Sequence, residues 1–132
     1  MELIDAVASS EEVFDGETLS ASKAIDDDPS TRWSSKGEGG TFTPPKWIYV
    51  DLGSVKEINS IRIEWEASAS TYRILVSDDA SNWNQVGSDR TLSSNSVTEN
   101  ISVSATGKYI KIEADGTNGS DGISIYELDV YQ

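Results

Sequence analysis

The stretch Ile61-Arg62-Ile63-Glu64-Trp65-Glu66-Ala67-Ser68-Ala69-Ser70-Thr71-Tyr72-Arg73-Ile74-Leu75-Val76-Ser77-Asp78-Asp79-Ala80-Ser81-Asn82 contains two strands and the turns that close them. Ile61, Ile63 and Trp65 share one face while Arg62, Glu64 and Glu66 share the other, the two-residue period of a half-buried strand. Tyr72, Ile74 and Val76 repeat the pattern, and Ser77 to Asn82 turns the chain before Trp83. Working outward, Trp47 to Leu52 alternates and Gly53 ends it. Val97–Val103 and Tyr109–Ile112 read as two more strands, and Ile123–Tyr131 as the last. Upstream, Leu3-Ile4 and Val7 suit a short edge strand. Phe14 to Thr18 is a loop around the turn signal Asp15-Gly16, and Leu19–Ile25 suits one helical turn. Seven or eight short strands with no long helical pattern predict an all-β, antiparallel sandwich or barrel.

Composition narrows the function. A chain of 132 residues suits a single domain, 1–132, able to bury its own core. No run approaches the ~20 apolar residues of a membrane helix. No signal-peptide pattern opens the sequence, so Met1 is expected to begin a mature or excised segment. The absence of cysteine leaves the redox compartment open. The absence of histidine removes the commonest general base and the usual transition-metal ligand, so any metal must be held by oxygen, which favours calcium. Ten Lys and Arg stand against 23 Asp and Glu, a net charge of −13. Nucleic acid and anionic membranes both require clustered cations, which are missing here. A cationic partner would be attracted.

Charge concentrates in Ala24-Ile25-Asp26-Asp27-Asp28-Pro29-Ser30-Thr31-Arg32-Trp33. Three consecutive carboxylates repel unless neutralised. A hard cation would draw on oxygens of Asp26, Asp28 and Thr31, whereas a solvated acidic turn above a buried Trp33 fits the same residues. The spacing is not that of an EF-hand loop. The last strand adds a second clue. Ile123 and Ile125 lie on one face but Tyr126, Leu128 and Val130 on the other, so a bulge is predicted near Ile125–Tyr126. That bulge sets Glu127 among large apolar neighbours, where a carboxylate needs a partner. A cation held by the acidic loop would supply it.

The acidic loop, Trp47-Ile48-Tyr49-Val50-Asp51-Leu52-Gly53, Trp65-Glu66-Ala67 with Tyr72, Val76 to Trp83 and Ile125 to Tyr131 together resemble the discoidin, or coagulation factor 5/8 type C, family. The branch most similar is the family-32 carbohydrate-binding modules of secreted bacterial glycoside hydrolases such as chitosanases. The resemblance covers nearly the whole chain. It implies a jelly-roll β-sandwich of about eight strands with one structural Ca²⁺. Carried over by position, the ligands are Asp26, Asp28, Thr31 and Glu127, with backbone oxygens near Lys23 and Tyr126. One departure stands out: the usual Gly after the first Asp is Asp27. Gly there serves a positive φ, which Asp tolerates better than most residues.

In such modules, sugars bind in loops at one end of the sandwich. Here these are Phe14–Thr18, the Gly- and Pro-rich segment after Trp33 (Ser34–Thr43), Glu64–Ser70 and Gly116–Gly122. Trp33, Trp47, Trp65 and Trp83 all lie in framework segments and are expected in the core. Phe14 and Phe42 are expected to anchor loops. What remains in the loops is acidic, which suits a sugar carrying free ammonium groups. Chitosan is the expected ligand, with Glu17, Glu38 and Glu64 as contacts and Asp121 and Lys36 as secondary contacts. A neutral galactose- or glucose-type glycan and a protein-adhesion role remain alternatives. A pair of carboxylates acting on a glycosidic bond is the enzymatic alternative, and the chain is expected not to be an enzyme. The expected setting is a secreted, monomeric module attached to a catalytic domain.

Overall fold

A computed structural model describes residues 3–132; the reading of Met1 lies outside the described residues. Among the described residues nine strands run in order: β1 (Asp5–Ala8), β2 (Glu12–Phe14), β3 (Glu17–Leu19), β4 (Trp33–Ser34), β5 (Lys46–Ala67), β6 (Thr71–Ser77), β7 (Asn84–Thr91), β8 (Thr98–Ala114) and β9 (Ser124–Tyr131). The single helical turn expected over Leu19–Ile25 is a 3₁₀ turn at Ala21–Ala24. β2 and β3 form a hairpin in which Phe14 faces Glu17. Its two linking residues, Asp15 and Gly16, take φ of 52° and 77°, as a tight hairpin turn requires.

The remaining strands pair in the order β4-β9-β5-β8-β6-β7, with β1 added beside β5, all antiparallel. Strands expected separately at Trp47–Leu52 and Ile61–Trp65 are two ends of β5. Likewise, Val97–Val103 and Tyr109–Ile112 are two ends of β8. Register breaks between Asp51 and Lys56, where Gly53 takes a φ of 87°, and again between Ile58 and Ser60. Each long strand thereby serves both layers. One layer joins β1, the first half of β5, the second half of β8, β6 and β7; the other joins β4, β9 and the remaining halves. The result is the antiparallel jelly-roll sandwich.

Between the layers lie Ile48, Val50, Leu52, Ile61, Ile63, Tyr72, Ile74, Ile110, Ile112, Leu128 and Val130. Trp33 and Trp65 are fully buried, as expected. At about 25 cal/mol per Å², a buried Trp of roughly 200 Å² contributes on the order of 5 kcal/mol, which makes these two rings the anchors of their strands. Trp33 Nε1 also donates to the Ser10 carbonyl at 3.0 Å, tying β4 to the N-terminal segment. Trp65 Nε1 donates to the buried Glu99, which also accepts from Tyr72 and Arg90.

Two expectations are corrected here. Trp47 and Trp83 are not core residues: they are half-buried, with Tyr49 between them at 5.7 and 5.4 Å and the Lys111 ammonium 4.3 Å from the Trp83 ring. On β5, Trp47 and Tyr49 alternate with the buried Ile48 and Val50, so their rings lie on the outer face of the sheet. Phe14 is 64% exposed and anchors nothing, whereas Phe42 does pack against the core. β7 was not anticipated. Its sequence NQVGSDRT lacks apolar alternation because it is an edge strand with one apolar residue facing the core, Val86.

Candidate functional site

Two acidic regions were expected to carry the chemistry. At the first, β9 skips Tyr126 in its pairing: Glu127 faces Glu64 of β5, but the next pair toward the loops is Ile125 with Trp65. This is the bulge that the break in alternation predicts, and it buries Glu127 to 4% exposure. Among the described residues, neither Glu127 oxygen meets a donor, because the group that faces it is the Asp26 carboxyl rather than an N–H or O–H. Burial, then Asp26, Asp129 and Asp27, push the Glu127 carboxyl up to about 8.

Within the loop, Asp26 accepts from the Asp28 N–H at 3.0 Å, and Asp28 accepts from the N–H and hydroxyl of Ser30 at 2.9 and 2.6 Å. The Thr31 hydroxyl stands 2.5 Å from Asp26 Oδ2 and 3.1 Å from the Asp28 carbonyl, although it has one proton to offer. Oxygens therefore converge beyond what local protons satisfy, beside an orphaned buried carboxylate. That donor set, all oxygen and strongly negative, fits Ca²⁺. Lys23 pairs its ammonium with Glu17, so its contribution to a cation would be its carbonyl. Asp27 takes a φ of 59°, the left-handed conformation expected at this position.

The second region is a shallow cleft of about 230 Å³ where three of the four candidate loops meet. It is lined by Glu12, Arg32, Ser34, Ser35, Glu66, Ala67, Asn95, Gly119, Ser120, Asp121, Gly122 and Ser124. Gly122 closes it against β4: a Cβ there would lie 2.6 Å from Ser35 Oγ, which itself accepts from the Ile123 N–H. Asp121 accepts from the N–H groups of Gly40 and Glu38, that of Gly40 holding its carboxyl below the usual range most strongly. Glu12 accepts from the Gly37 N–H. Arg32 carries a buried Nε–H without a hydrogen-bond partner; Glu66 lies 3.6 Å away, close enough for attraction but beyond a hydrogen bond. The cleft thus holds an unused donor and a half-exposed carboxylate side by side. No aromatic side chain lines it.

A larger cavity, about 390 Å³, opens at the edge of the sandwich between β7 and β8. It lies among framework residues such as Ile74, Val86 and Ile101, with Arg90 committed to Glu99. The loop-end cleft is the better candidate because its polar groups are convergent and partly unpaired.

Of the residues expected to contact sugar, Asp121 alone lines this cleft. Glu17 lines a neighbouring hollow of about 160 Å³ with Phe14, Lys23 and Thr31, and its bond to Lys23 holds its carboxyl low. Arg32 lines both spaces. Glu38 pairs with Lys46, Glu64 pairs with Arg62 at 3.0 Å, and Lys36 is exposed with its N–H bound to Ser10. Glu12, Arg32 and Glu66 complete the cleft but were not anticipated as contacts. Glu66 was visible as the outward residue following Trp65; Glu12 and Arg32 gave no local signal.

An antiparallel jelly-roll sandwich with a charged cleft among its end loops defines a small ligand-binding module. The F5/8 type C domain model matches residues 5–128. The chain therefore belongs to the F5/8 type C domain family. Its fold is similar to that of chitosan-binding module 1 of a chitosanase/glucanase from Paenibacillus sp. IK-5, with 35% identity, 97% of this chain and 94% of that chain covered, and a TM-score of 0.81. It is also similar to the family 32 module of C. perfringens NanJ in complex with galactose, at 27% identity, 99% and 94% coverage and a TM-score of 0.80. Polysaccharide lyase 8 family protein HylA of Enterococcus faecalis is 36% identical over 64 residues, 48% of this chain. The chain spans 4% of that curated relative's length.

Proposed function

We propose that this chain is a non-catalytic carbohydrate-binding module whose ligand is a glucosamine-containing chain such as chitosan. The observation that carries the reading is the cleft itself, which brings Glu12, Glu66 and Asp121 around Arg32 with no aromatic platform. Neutral sugars are commonly held by stacking on apolar ring faces, and this cleft offers none. An amino sugar brings an ammonium group to the carboxylates, while its hydroxyl oxygens can accept from the solvent-facing end of the partly exposed Arg32 guanidinium. Similarity to a chitosan-binding module supports the same choice. Two or three charged hydrogen bonds of roughly 1.5–3 kcal/mol each, less the cost of ordering the sugar, imply a Kd of about µM to mM. Such weak binding suits targeting of an attached glycoside hydrolase outside the cell, sharpened by tethering. A monomer suffices, since the cleft is complete within one chain.

Calorimetry with glucosamine oligomers and their N-acetylated counterparts tests this directly. Binding of the first only, weakening as salt rises, is the expected result. Equal affinity for both would remove the ammonium from the account and return the choice to a neutral glycan.

We also infer that a Ca²⁺ ion joins the acidic loop to β9 as a structural clasp, held by Asp26, Asp28, Thr31 and Glu127 with carbonyls of Lys23 and Tyr126. The orphaned Glu127 supports this. Purified protein should carry calcium by elemental analysis, and its absence after growth in calcium would defeat the reading.

A further inference from the structure

The clasp residues do not account for all the charge at this point. Carboxylate oxygens of Asp27, Glu127 and Asp129 all lie within 4.8 Å of one another. Asp27 comes from the loop, and Asp129 lies two residues from Glu127 on the same face of β9, so the cluster joins two elements. Its central member is more than nine-tenths buried, with both oxygens lacking a donor. Among the described residues, Arg62 is the cation that approaches this group, and it does not relieve the crowding. Its guanidinium sits 3.0 Å from Glu64 and 3.9 Å from Asp129, so it is committed chiefly to Glu64. Asp26 faces Glu127 with further negative charge.

Asp27 is informative because of its backbone. A φ of 59° costs Gly nothing and strains most other residues, so a side chain at this position needs a compensating use. Asp tolerates the conformation and places a carboxylate against Glu127, which glycine cannot. Carboxyl groups this close repel when ionised, and a cation between them relieves the repulsion.

We propose that Asp27 and Asp129 are ligands of the cation seated on Glu127, adding two carboxylates to the loop set and favouring a divalent, oxygen-preferring ion. The inference rests on the calcium reading above. It assigns to this chain a more acidic clasp than the loop residues alone would make, and carboxylate count is a principal determinant of calcium affinity.

The test is calorimetric titration of the chelator-treated full chain with Ca²⁺, with far-ultraviolet circular dichroism confirming the fold of each variant. Asp27→Asn and Asp129→Asn should each weaken binding by about tenfold, and the double variant by about a hundredfold. Asp27→Gly should weaken it as Asp27→Asn does, since the backbone is unstrained and only the carboxylate is lost. Asp89→Asn, an acid of β7 beside Arg73, controls for the general field of the chain and should change affinity less than twofold. Wild-type affinity in Asp27→Asn and Asp129→Asn, with binding abolished by Glu127→Gln, would overturn the inference and leave the clasp intact. Losses no larger than that of Asp89→Asn would overturn it equally. A wild-type chain that binds no Ca²⁺ would remove both.

Discussion

The acidic loop and the loop-end cleft both gather carboxylates, yet they differ in what surrounds them. In the cleft, Asp121 and Glu12 accept backbone N–H bonds, and Glu66 stands beside a guanidinium. At the loop, Glu127 meets other carboxyls and, among the described residues, no donor. A carboxylate with donors is already neutralised enough to wait for a ligand in water. One buried without donors among other carboxyls must be neutralised within the fold, by a proton or by a cation. The number of acids in a region therefore says little about its role; the donors around them say more.

The largest effect that could break this contrast is chelation. With Ca²⁺ at about a thousand times its Kd, binding adds roughly 4 kcal/mol to stability. Its removal should lower the Tm by on the order of 10–15 °C for a domain of this size, read by calorimetric scan. An unchanged Tm would make the loop a solvated turn after all. Next comes Glu99, an acid that is buried yet fully supplied with donors. Glu99→Ala strands Trp65 Nε1–H and the Tyr72 hydroxyl proton and leaves Arg90 bonded only through Nε to Tyr72, and should cost about 3 kcal/mol in denaturant unfolding whether or not calcium is present. Sensitivity of that loss to calcium would mean that the two regions are coupled.

Effects on binding should be smaller. Glu66→Gln should weaken glucosamine-oligomer binding by about tenfold, the value of one charged contact, while the Tm stays within about 2 °C. A matching fall in Tm would identify Glu66 as structural support for Arg32. Smallest of all, Glu17→Gln should alter oligomer affinity less than twofold, since Glu17 lines the adjoining hollow and answers to Lys23. A larger loss would move the binding site across Arg32 into that hollow.

Legibility followed locality. Alternation in Ile61–Glu66 fell on buried and outward positions as expected, because inward orientation in a strand is set by a neighbour two residues away; in the next strand it held for Tyr72, Arg73 and Ile74, whereas Leu75 is buried and Val76 only half-buried. The break at Ile125–Tyr126 revealed a bulge, and through it the burial of Glu127. β7 escaped because an edge strand needs little apolar surface, and Trp47 and Trp83 misled because a large apolar ring suggests burial wherever it falls. The outer face of the sheet instead stacks them around Tyr49 beneath Lys111.

The amino-acid sequence on its own determined an antiparallel all-β sandwich or barrel, the turn chemistry at Asp15-Gly16 and the oxygen-only character of any metal site. These depend on side-chain period, φ preference and the absence of histidine and cysteine, all properties of short segments or of composition. Tertiary structure alone decided which acids share a space. Glu12, Arg32, Glu66 and Asp121 are spread over most of the chain and meet only because the sandwich brings three loops to one end. Asp27 and Asp129 likewise meet across Glu127 only when β9 lies against the acidic loop. Electrostatic interaction depends on distance in space, and no spacing along the chain encodes it.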